Sequence, residues 1–134
     1  MLKCKFSLVC SMVSSDFVTG GVNLLQIIEE IHAPVVPTIN TVPLTYVATF
    51  TKSHNEPNNI KATLIATFNK KEIARFDTVM NFQGLNRLRL QAPMPPIAFP
   101  SYGVLVLKYI IQRKEYAEYS IDVTPPPSQL ATKS

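Results

Sequence analysis

Leu44-Thr45-Tyr46-Val47-Ala48-Thr49-Phe50-Thr51-Lys52 is the stretch on which the fold turns. Leu44, Tyr46, Ala48 and Phe50 fall on one side of a period-two alternation, and Thr45, Val47, Thr49 and Thr51 on the other. Successive side chains of a strand point to opposite faces, so this pattern predicts a strand with one face buried. Downstream, the polar loop His54-Asn55-Glu56-Pro57-Asn58-Asn59 is followed by a second alternation, in which Ile60, Ala62, Leu64, Ala66 and Phe68 form the inward side. Asn69-Lys70-Lys71 makes a short hairpin connection into a run from Glu72 to Met80, and Asn81 to Gly84 turns the chain again. In the next strand Leu88 and Leu90 alternate with Arg87 and Arg89, which places both guanidinium groups on one solvated face.

Upstream, Leu2 to Val13 is an apolar run, and Ser14-Ser15-Asp16 through Gly20-Gly21 supplies turn chemistry before Val22 to Glu29. Leu24, Ile27, Ile28 and Ile31 would also form a helical stripe, but the glycine pair and the β-branched content favour a strand. Ala33-Pro34-Val35-Val36-Pro37 and Pro43 bracket an extended connection that crosses between sheets. Ala92 to Pro100 carries prolines at 93, 95, 96 and 100, which excludes a central strand and predicts an irregular connection. Gly103 to Gln112 and Tyr116 to Val123 read as a closing hairpin over Arg113-Lys114, with Tyr119, Ile121 and Val123 inward. The expectation is an all-β chain: an antiparallel β-sandwich of two sheets and about eight strands with proline-rich crossing loops. A closed barrel suits the long proline-rich connections less well. Residues 1–124 form the one domain, and 125–134 a flexible tail with little to bury.

A chain of 134 residues that is 46% apolar and 16% charged has enough core for one folded body and is not a disordered segment. Its net charge of +4 is scattered and is first a matter of solubility. Cys4 and Cys10 lie six residues apart on one strand, roughly 20 Å at full extension, too far to bridge each other. Two free thiols fit a reducing compartment. Lys3 and Lys5 before Phe6 to Val13 imitate a signal peptide loosely, but the apolar stretch holds two serines and no small-residue cleavage site follows it. The expected location is cytoplasmic, and no run of 18 apolar residues predicts a membrane-spanning helix.

The strand Phe6-Ser7-Leu8-Val9-Cys10, the segment Gly21-Val22-Asn23-Leu24-Leu25-Gln26-Ile27-Ile28 with Ile31, and the Pro34 to Pro37 connection resemble small uncharacterised β-sandwich proteins of bacteria and their phages. Phe99-Pro100-Ser101-Tyr102-Gly103 and the hairpin to Val123 are similar to the last strands of the same group. The chain departs from that group in having only Asp16 after the first strand, where its members are more acidic. The resemblance implies an accessory or interaction role without an assigned activity.

Candidate chemistry is sparse. His32 with Glu29 and Glu30 is the best local cluster for a metal, but no CxxC, HxH or HExxH spacing occurs, and neither a metal nor a cofactor is expected. No nucleophile elbow is present, and Cys10 beside a histidine would need the fold to bring them together. Gly20-Gly21 lacks the Lys-Ser or Lys-Thr of a phosphate loop, so no catalytic residue is assigned and an enzyme is not expected. Two surfaces stand out instead. Met94, Ile97, Phe99 and Tyr102 lie on a proline-stiffened segment suited to anchoring a protein partner or a second copy of the chain, or else to plugging one end of the sandwich. Arg87, Arg89, Lys108 and Arg113 would make a basic face for nucleic acid or a nucleotide if their strands are neighbours. A non-enzymatic protein-binding module acting through sheet edges and the proline-rich loops is the leading expectation, with phosphate binding as the alternative.

Overall fold

Thr45–Thr51 forms a strand through the middle of the protein, with Tyr46, Ala48 and Phe50 wholly buried. The computed structural model describes residues 1–15 and 21–126. Among these residues there are eleven strands in three sheets and no helix. In chain order they are β1 (Lys3–Ser15), β2 (Val22–Ile27), β3 (Glu30–His32), β4 (Thr38–Asn40), β5 (Thr45–Thr51) and β6 (Asn59–Phe68). β7 (Lys71–Asn81), β8 (Arg87–Pro93), β9 (Ile97–Phe99), β10 (Gly103–Ile111) and β11 (Lys114–Thr124) complete the set. A four-stranded sheet runs in the order β2-β1-β5-β8, a five-stranded sheet β3-β11-β10-β6-β7, and β4 pairs with β9.

The eight expected runs all appear as strands, and β3, β4 and β9 are additional. The expectation of about eight strands in two sheets is therefore corrected to eleven in three. Each added strand is three residues long, too short to show a period, and β4 and β9 lie inside the proline-rich segments. Those segments are not irregular loops throughout: Thr38, Ile39 and Asn40 pair with Phe99, Ala98 and Ile97. Proline stays out of these rungs. Pro37 and Pro96 precede the short strands, Pro43 and Pro100 follow them, and Pro93 ends β8, which has a free edge. The ladders are antiparallel except for β3 beside β11, which is parallel. The segment 127–134 of the expected tail lies outside the described residues.

The four- and five-stranded sheets face each other in a sandwich-like arrangement. Tyr46 of β5 stacks on Tyr109 of β10 at 5.3 Å between ring centroids, and Phe50 meets the same ring edge-on at 5.7 Å. Ala62, Leu64, Ala66, Leu105, Leu107, Ile111, Ile121 and Val123 fill the layer between the sheets. The Tyr46 hydroxyl is buried with no hydrogen-bond partner within normal geometry among the described residues, and burial pushes the phenol above its ordinary range. Burial also pushes Tyr109 up to about 12.

Two hairpins close on two-residue turns in which both residues have positive φ, Asn69 with Lys70 and Gln112 with Arg113. Such turns match the right-handed twist of the flanking strands. Asn69 does further work, since its Oδ1 accepts from Val104 N at 2.9 Å while its Nδ2 reaches the Tyr102 carbonyl at 3.4 Å. A Cβ on Gly103 would overlap that amide, so a larger residue there would push the Asn69 side chain out of these hydrogen bonds.

Candidate functional site

The proline-stiffened segment is held from several sides. Met94 N donates to the Leu44 carbonyl at 2.8 Å, and Tyr102 Oη donates to the Ala33 carbonyl at 2.9 Å. Ile97 and Phe99 point inward, 7% and 1% exposed, with Phe99 against Phe68 at 5.4 Å. They close one end of the core. Met94 and Tyr102 are half-buried, so of the four anchor residues only these two reach the surface.

The proposed basic face is divided between two layers. Arg87 and Arg89 lie on β8 in the four-stranded sheet, whereas Lys108 lies on β10 in the five-stranded sheet and Arg113 in the turn after it. The condition that their strands be neighbours is not met. Lys108 also has a carboxylate, Glu115, at 3.8 Å.

Two hollows organise what remains. The first, about 230 Å³, opens where the two main sheets part between β7 and β8. Leu64, Phe76, Leu90, Ala92, Met94 and Tyr109 line it. Beside it runs β7, eleven residues long and at the edge of its sheet among the described residues, with Ile73, Phe76 and Val79 exposed. The sequence carried a sign of this edge that strand assignment alone passes over. Ile73, Phe76, Val79 and Met80 put apolar groups on both faces of one strand, which a strand with one solvated face does not need.

The second hollow, about 830 Å³, lies on the outer face of the four-stranded sheet, with Phe6, Val22, Thr49, Thr51, Arg87 and Arg89 around it. Ser15, the register partner of Val22, is nine residues on from Phe6, roughly 30 Å along a straight strand. Sharing one hollow therefore requires the β1–β2 arm to bend back over this face. That bend explains why Val47 and Cys10 are 0% exposed although they point away from the core.

No catalytic constellation forms among the described residues. Cys4 and Cys10 are free thiols, burial pushes both up, and Cys10 is sealed from solvent. A thiol so placed is a poor nucleophile. His32 stands 3.6 Å from Glu30 and His54 beside Asn86, and no group of three or more metal-ligating side chains gathers among the described residues. Nor is any described helix long and apolar enough to cross a membrane. Comparison with protein-family models and with curated proteins finds no match.

Proposed function

We propose that this protein is a non-enzymatic binding module that takes up an extended segment of a protein partner along β7. One observation carries the reading: an eleven-residue strand that is the edge of its sheet among the described residues runs beside an apolar cleft. Strand addition supplies main-chain hydrogen bonds, and alternate side chains of the incoming segment select for pockets. The cleft exceeds the roughly 150 Å³ that accommodates benzene, so it has room for one large apolar side chain. Proteins usually blunt such edges with charges, prolines or coverings. Here Lys71, Arg75 and Asp77 are interspersed with Ile73, Phe76 and Val79, a mixture that discourages indiscriminate pairing while leaving apolar contacts for a chosen partner.

A photo-crosslinking residue placed at position 79 and expressed in the native cell tests the reading. The expected result is one discrete protein adduct, lost when Ile73→Lys is added and retained with the control Ser120→Lys on β11. An adduct of the chain with itself would make the partner a second copy. No discrete adduct, or an adduct indifferent to Ile73→Lys, would remove β7 as the docking edge.

A further inference from the structure

Strand alternation sets Arg87 and Arg89 on the same outward face of β8, opposite Thr51 and Thr49 of β5 in the ladder. Across the next ladder Lys3 pairs with Thr51, and Phe6 with Thr49. One corner of the outer face therefore collects two arginines, two hydroxyl side chains and an aromatic ring around the larger hollow, with Lys3 beside Thr51 in the ladder. No carboxylate among the described residues lines it. Neither arginine makes an ion pair, and Lys52, only 8% exposed, adds a positive charge held by the carbonyls of Ser53 and Glu56 over the Phe82 ring. Glu56, the nearby acid in sequence, is already engaged by the Leu2 and Ser53 amides and the Met1 amine.

Three buried side-chain polar atoms lack a partner among the described residues, and two of them, Arg89 Nε and Asn86 Oδ1, belong to residues lining this hollow. Arg89 Nε is closed off from solvent while the residue as a whole is half-buried, so an oxyanion in the hollow complements the unpaired guanidinium charge rather than that atom. Phe6 is 41% exposed, two strand spacings or roughly 10 Å from β8, and takes part in no aromatic pair. We infer that the hollow on the outer face of the four-stranded sheet binds a small phosphate ester carrying a planar ring. Its phosphate lies between Arg87 and Arg89, and its ring rests on Phe6.

A single ester suits the site better than a nucleic-acid strand. A strand requires a continuous basic track, and Lys108 and Arg113, which would extend one, sit on the other layer. The site is separate from the β7 edge and stands or falls independently of it.

Adenosine monophosphate and inorganic phosphate, titrated into the full chain, are the probes, with backbone amide shifts of Thr49, Thr51, Arg87 and Arg89 and calorimetry as readouts. Both probes should saturate, the nucleotide about tenfold more tightly. Arg87→Gln and Arg89→Gln should each weaken both by about tenfold, the loss of one charge-assisted pair. Phe6→Ala should bring the nucleotide down to the affinity of phosphate and leave phosphate unchanged. Circular dichroism checks each variant, and exposed Arg87 carries the test if Arg89→Gln fails to fold. The inference is overturned by the absence of saturable shifts at millimolar probe, by affinities indifferent to Arg87→Gln, or by binding of a single-stranded oligonucleotide without binding of the mononucleotide.

Discussion

Glu56 shows how one side chain ties a loop to a strand end. Its carboxylate accepts from Ser53 N at 2.8 Å and Leu2 N at 3.0 Å and lies 2.9 Å from the Met1 amine. The Ser53 amide first, and the amine next, hold its pKa down to about 2 from an ordinary 4.5. The folded protein thus binds a proton on Glu56 less readily than the unfolded chain does. The stability this group contributes is complete above about pH 4.5 and is lost as pH falls toward about 2. Urea midpoints measured from pH 6 down to the acid limit should fall through that window, and Glu56→Gln should flatten the slope within it. An unchanged slope would show that these contacts do not persist in solution. None of this was legible in Ser53-His54-Asn55-Glu56, which reads only as a polar loop, because the partners Leu2 and Met1 are more than fifty residues away in sequence.

At the scale of elements, the strands owe their definition to alternation and their ends to turns. The alternations in β6, β10 and β11 were readable because each strand buries one face more deeply than the other, whereas β5 alternates in sequence although both its faces are buried. Lys70 and Arg113 fall at the second turn position with φ of 71° and 65°, a region glycine adopts freely and an L side chain does not. Arg113 is in the first place a turn residue. Arg113→Gly should relieve that conformation and raise stability by up to about 1 kcal/mol, read as a higher urea midpoint with an unchanged denaturant slope. A loss of stability would mean that the Arg113 side chain contributes more than its backbone costs. β4 and β9 remained hidden because three-residue strands are made by pairing. Pro37 and Pro96 interrupt any pattern at their starts, and only the meeting of two distant segments turns them into a ladder.

For the whole molecule, closure of the core distinguishes an anchor from a plug. Phe99 sits at 1% exposure against Phe68, in a segment whose flanking prolines suggested a surface loop. Phe99→Ala should cost about 3 to 5 kcal/mol in urea unfolding, the usual penalty for emptying a large aromatic site. A loss below about 1 kcal/mol, typical of a surface position, would return Phe99 to the exterior. The order of the sheets decides the functional reading in the same way. β8 and β10, separated in sequence by little more than β9, end in different layers, so Arg87 and Arg89 part from Lys108 and Arg113. Within the four-stranded sheet the same order joins Arg87 and Arg89 to Thr49, Thr51 and Phe6.

The sequence by itself determined that the chain is all-β, where its eight longer strands run and which face of most of them is apolar. These properties follow from side-chain alternation within a few residues and need no distant partner. Only the tertiary structure decided which strands lie side by side, that the β1–β2 arm bends over the outer face, that Ile97 and Phe99 turn inward, and that β7 is the edge of its sheet among the described residues. Each of those outcomes depends on contacts between segments tens of residues apart, and local periodicity holds no record of them.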